Sequence, residues 1–272
     1  MMTRLPLYTT LFVLLLAGIS AYGQQDVHYT QSMYNRVYFN PAAAGAQGKA
    51  CVSAIHRSQW VGFEGAPSTQ NVNFDMPLKK LNGGFGLSLL NDRLGFEQNN
   101  EVKASLSYGR VIGPGRLSAG ISAGLAIKGI IDPDWETPDG SNPGNDPSIP
   151  VGGQRAIRPD VSVGFLYNVT NWYVGLSMSN TLEQRLDYSG GQGIQSERHY
   201  FVMAGYEYPL NRDLSLQPFL MLKTDASSFY QFDFSVRGMY DNKYWAGLAY
   251  RYQDAVSLLM GMRINENLKV GY

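Results

Sequence analysis

From Tyr230 to Tyr240 the chain alternates residue by residue. Tyr230, Phe232, Phe234, Val236, Gly238 and Tyr240 fall on one face, and Gln231, Asp233, Ser235 and Arg237 on the other. A period of two is the signature of a β-strand with one apolar and one polar face. The same pattern returns at Val102–Tyr108, Leu117–Ile127 and Val161–Tyr167, each time against Ser, Gly, Asn and scattered charge. A soluble sandwich needs bulky residues on its inner face. A second face this small and polar suits the wet interior of a membrane barrel better.

The start of the chain points to export. Arg4 precedes a short apolar run, Leu11–Ala17, and Ala21-Tyr22-Gly23 places small residues where a signal peptidase cuts, so residues 1–23 read as a signal peptide. No later stretch approaches the roughly 20 apolar residues of a spanning helix, so a membrane location implies strands. Cys51 is the only cysteine and can form no internal disulfide. Lys+Arg and Asp+Glu number 22 each, which removes the basic excess that a nucleic-acid surface requires.

The expected fold is all-β, a transmembrane antiparallel up-and-down barrel with about 12 complete strands and the beginning of another. Strands are expected at 49–59, 70–78, 84–92, 100–112, 116–130, 159–169, 171–180, 197–209, 214–224, 229–240, 243–252 and 255–264, with 267–272 opening the next. Short turns at Gly113-Pro114-Gly115, Thr170, Leu210–Asp213, Asp241-Asn242 and Asn265-Glu266 alternate with connections that include the long stretches 131–158 and 181–196. Bacterial barrels keep short turns in the periplasm, which puts the mature N-terminus there too. Residues 24–48 form a periplasmic N-terminal segment and 49–272 the outer-membrane barrel. An even strand number is the rule, so the last strand is expected to be cut short at Tyr272; the competing reading is a short closing strand ending in an aromatic.

Part of the sequence goes beyond what barrel physics demands. Tyr38-Phe39-Asn40-Pro41-Ala42-Ala43-Ala44-Gly45 is followed by Arg57-Ser58-Gln59-Trp60-Val61-Gly62-Phe63-Glu64-Gly65-Ala66-Pro67-Ser68-Thr69-Gln70, then by Gly86-Leu87-Ser88, Asn91-Asp92 and Gly95. This ordered set closely resembles the PorP/SprF family of outer-membrane proteins associated with the type IX secretion system of Bacteroidetes. The resemblance is dense over residues 24–130 and thins to general barrel likeness beyond them. Arg36 follows Asn35 where the family often repeats Asn-Pro, and family members usually run on through further strands. The resemblance implies a barrel that assists secretion or surface attachment of particular cargo, notably large gliding adhesins. Its partners would be outer-membrane lipid, the secretion machinery and that cargo. The candidate partner-binding or family-motif residues are Asn40, Pro41, Gly45, Arg57, Gln59, Trp60, Gly62, Phe63, Gly65, Pro67, Gln70, Asn91 and Asp92. Trp60 and Phe63 fall at the first outer rim, either in the aromatic girdle or in a partner contact.

Catalytic chemistry is absent from the pattern. His28, His56 and His199 are isolated, and no cluster has metal-ligand spacing, so a non-enzymatic role without cofactor or metal is expected. The acidic, Pro-rich stretch 131–158 reads as a solvated surface loop, since it lacks the spacing of a calcium-binding loop. Charges on the polar faces, Lys103, Lys128, Arg237, Arg251 and Arg263 against Glu101, Glu207 and Asp233, either line a pore or pair and fill it. The aromatic-rich stretch 24–49 lacks alternation and either tucks into the lumen or docks on a periplasmic partner, with Asn40-Pro41 marking a turn toward the barrel. The alternative function is a passive channel for small solutes, and a third is a surface adhesin acting through the long loops.

Overall fold

A computed structural model describes residues 27–131, 154–182, 185–187, 193–195, 197–225 and 230–272. The expected signal peptide and most of the acidic loop lie outside these residues. The strands are β1 (Cys51–Ser58), β2 (Ser68–Leu78), β3 (Gly83–Leu94), β4 (Glu97–Ile112), β5 (Gly115–Ile130), β6 (Gln154–Asn168), β7 (Trp172–Ser179), β8 (Arg185–Asp187), β9 (Gly193–Gln195), β10 (His199–Tyr206), β11 (Tyr208–Pro209), β12 (Leu214–Thr224), β13 (Tyr230–Tyr240), β14 (Tyr244–Arg251), β15 (Ala255–Arg263) and β16 (Lys269–Gly271). Fourteen of them form one antiparallel sheet in the order β1 to β7, β10, β12 to β16, with β11 paired to β12. Every strand read from the alternation is present in it. The strand expected over 197–209 is interrupted after Tyr206, because the register places that residue opposite Pro218, which has no N–H to give the ladder. A small hairpin, β8 with β9, stands in the connection between β7 and β10, where no strand was expected.

The faces are inverted relative to a soluble protein. Along β4, Glu101, Lys103 and Ser105 are buried, whereas Val102 and Leu106 are half exposed; along β13, Gln231, Ser235 and Arg237 are buried between exposed Tyr230, Phe234 and Tyr240. Apolar outside and polar inside is the arrangement of a membrane barrel. Aromatics mark the edges of the apolar band. Phe96, Tyr230, Tyr250 and Tyr252 lie at the long-loop end, and Tyr108, Trp172, Tyr206, Tyr208, Tyr240 and Tyr244 at the short-turn end. Tyr230 and Tyr240 bound one strand of 11 residues. Ten steps span about 33 Å, and a tilt of about 40° reduces this to roughly 25 Å, the height of the apolar band of an outer-membrane barrel.

No helix of the described residues is long and apolar enough to cross a membrane. The edge strands β1 and β16 are not paired to each other, so the sheet is open in hydrogen bonding, which is compatible with the expectation of further strands.

Candidate functional site

The polar inner face does not enclose water alone. Residues 27–46 run inside the curved sheet as a compact plug built from 3₁₀ turns at Ser32–Tyr34 and Pro41–Ala43 and one helical turn, α1 (Arg36–Phe39). Tyr29, Met33, Val37, Tyr38, Phe39, Asn40 and Ala42–Ala44 are all buried. Contacts reach walls on opposite sides. Asn73 of β2 donates to the Asn35 side chain, the Phe39 ring packs at a tilt 5.4 Å from that of Phe201 on β10, and Tyr34 lies 6.0 Å from Trp245 of β14. Met33 and Tyr29 share an apolar cluster with Phe219 of β12 and Leu259 of β15. Residues 27–46 of the stretch 24–49 therefore tuck into the lumen, one of the two alternatives its lack of alternation left open. Asn40-Pro41 is not the turn into the barrel; it sits at the centre of the plug, since β1 starts only at Cys51.

The sheet is shaped to receive this segment. Asn40 is fully buried, and its amide donates to the carbonyls of Phe165 on β6 and Leu176 on β7, at 2.9 and 3.3 Å. It comes so close because Gly164 and Gly175 lie beside it; a Cβ on Gly175 would stand 2.8 Å from the Asn40 nitrogen, and one on Gly164 would overlap its oxygen. The same oxygen accepts from the Ala42 N–H at 2.9 Å and caps the next turn, with Pro41 at its start. Further along, Ala42 lies over Gly120 of β5, and Ala44 over Gly84 of β3. Ser177 and Ser107 donate to the carbonyls of Phe39 and Ala44, at 2.7 and 2.8 Å, and Asp75 accepts from the Gly45 N–H at 2.9 Å. Gly45 has φ +69 and presses on the β2–β3 turn, so it combines a left-handed backbone with a place no side chain could enter.

Of the polar-face charges, Lys103, Lys128 and Arg251 pair with carboxylates, whereas among the described residues no ion pair holds Arg237, Arg263 or Glu207. Lys103 bridges Glu101 at 3.1 Å and Asp160 at 2.9 Å, and the Tyr38 hydroxyl donates to Glu101 at 3.3 Å while its ring lies under the Lys103 ammonium. Arg237 donates to the Tyr34 hydroxyl and to Gln217, and Arg251 bridges Asp233 and Asp254. Burial raises the Tyr34 hydroxyl above its ordinary range, and Arg237 opposes part of that rise. Lys103 with Glu101 and Asp160, and Arg251 with Asp233, neutralise one another at a depth where an unpaired charge would be costly.

The sequence model described as "Type IX secretion system membrane protein PorP/SprF" matches residues 21–272. The chain belongs to the PorP/SprF family. No curated protein matches it. The protein is thus an outer-membrane β-barrel of a type IX secretion membrane family, and the Asn40–Gly45 motif that carried the resemblance is the plug's anchor.

The remaining candidate residues of this PorP/SprF chain lie together at the long-loop end, away from that anchor. Arg57 donates to Gln59 at 2.8 Å, and the Gln59 N–H to the buried Pro67 at 3.0 Å, closing the loop between β1 and β2. Gln70 pairs with Asn91 across β2 and β3, Asn91 donates to Asn100 at 2.6 Å, and Asp92 accepts from Thr69 at 2.5 Å. Gly65 accepts from the Gly95 N–H at 2.9 Å and ties this loop to the β3–β4 turn. Trp60 and Phe63 project from the loop, 68% and 74% exposed, on either side of Gly62. Trp60 holds φ +46, an uncommon conformation for a bulky residue, within a turn in which the Phe63 N–H bonds its carbonyl at 3.1 Å. The sequence reading missed the inner-wall residues Gly84, Gly120, Gly164, Gly175, Ser107 and Ser177. Their shared signal was small residues on the polar face of strands that follow an Ala-rich motif.

Proposed function

We propose that the protein is a non-enzymatic accessory of type IX secretion that works by protein–protein recognition, helping particular large surface proteins of the adhesin kind to be exported or attached. Its machinery contacts would be at the short-turn end and its cargo contacts at the long-loop rim, where Trp60 and Phe63 offer aromatic anchors. The observation that carries this reading is the plug. A lumen occupied by the largely buried residues 28–44, tied to the wall at Asn35, Phe39, Asn40 and Ala44, is poorly suited to passive diffusion of solutes, so the rival reading as an open channel has the weaker support.

Planar-bilayer recording separates the two readings. The intact chain should insert without steady conductance, and a form lacking residues 24–44 should conduct. Steady conductance from the intact chain would favour the channel.

A further inference from the structure

The short-turn end carries an uneven charge. At its mouth Arg263 shares the inward face of β15 with Leu259, which packs on the plug, and its registered partner on β16 is Lys269. The like charges of Arg263, Arg237 and Lys49 act on Lys269, opposed by Glu207, and Glu266 stands in the turn between Arg263 and Lys269. Glu207 already accepts from Ser215 and Gln217, at 3.3 and 3.2 Å. The adjoining β2–β3 turn adds Lys79 and Lys80, both exposed, and its nearby acid, Asp75, is turned inward onto Gly45. Among the described residues no ion pair joins Lys49, Lys79, Lys80, Arg263 or Lys269 to a carboxylate, although the whole chain is balanced at 22 charges of each sign.

Basic charges in excess over the nearby acids, and held in no ion pair, repel one another, and an incoming anion relieves that repulsion. We propose that this basic mouth is a docking site for an acidic polypeptide segment of a periplasmic protein. Lipid is the poorer occupant. Arg263 and Lys269 face the inside of the barrel, whereas lipid phosphates surround its outside, and an extended acidic segment can enter below the plug, where Gln47–Ala50 are exposed. The partner's location rests on the reading that short turns face the periplasm; the site itself does not.

The probe is a fluorescein-labelled peptide of ten glutamates, titrated by anisotropy against the full chain in detergent micelles. Saturable binding is expected, weakened about tenfold or more by Lys49→Gln with Arg263→Gln and Lys269→Gln, and weakened by salt. The pair Arg212→Gln with Lys243→Gln, beside Asp213 and Asp241 at the same end, should leave it intact. If the triple variant does not assemble, Lys269→Gln alone should still weaken binding measurably. Absence of saturable binding, or equal loss in the Arg212 and Lys243 pair, overturns the proposal. So does mouth-dependent binding to phosphatidylglycerol vesicles without peptide binding. None of these outcomes depends on whether the protein assists secretion, which is read from surface proteins in cells.

Discussion

The side-chain amide of Asn40 donates to the main-chain carbonyl of Phe165 at 2.9 Å, joining positions 125 residues apart. This bond places a residue of the N-terminal segment between two glycines of the barrel wall. Replacing Asn40 by Ala should cost about 1–3 kcal/mol, because the Ala42 N–H and the wall carbonyls lose a buried partner. Asn40→Asp should do more harm than its similar shape suggests, since a carboxylate cannot donate to the two carbonyls. Thermal loss of the heat-resistant electrophoretic form would report both.

Glycines on the inner wall should be less replaceable than their position in a polar lumen implies. Gly120→Leu and Gly164→Leu place side chains where Ala42 and Asn40 lie. Both should dislodge the plug while leaving the strand ladder formed. Protease cleavage within residues 27–48 in the assembled barrel should increase, and that measurement decides the point.

The two faces of β13 should fail in different ways. Phe234→Arg puts a charge in the apolar band and should destabilise the barrel by about 2–4 kcal/mol. Ser235 is buried and lines a small cavity with Thr30 and Ser32 of the plug, so Ser235→Arg should push on the plug instead. Folding titrations in lipid should separate the first effect, and conductance the second. Equal behaviour in both assays would contradict the facing.

Much of this architecture is readable from residue order, for a physical reason. A two-sided wall in a membrane forces a period of two over many residues, and strands such as Leu214–Thr224 can be bounded to the residue from it. The plug imposes no such period. Its residues answer to the wall they meet, so Asn40 reads as a turn former, and Gly164 and Gly175 as ordinary small residues, until the fold brings them together. The loop from Gln59 to Pro67 is intermediate: its glycines announce a tight path, but the left-handed backbone at Trp60 has no mark in the sequence.

At the rim, Trp60→Ala with Phe63→Ala should remove exposed ring surface without touching the bonds that close the loop. If the rings anchor a partner, barrel abundance stays unchanged and attachment of cargo falls, because aromatic anchors often carry a large share of interface energy. If they belong to the lipid girdle, barrel abundance or stability falls instead. Quantifying barrel level and surface proteins in the same cells distinguishes the two.

The most direct test of the central claim is the surface-protein composition of cells lacking this gene, compared with cells in which it is restored. The account predicts loss of one or a few large surface proteins, with other type IX secretion, envelope integrity and small-solute uptake preserved. An unchanged surface composition accompanied by reduced solute uptake would contradict it.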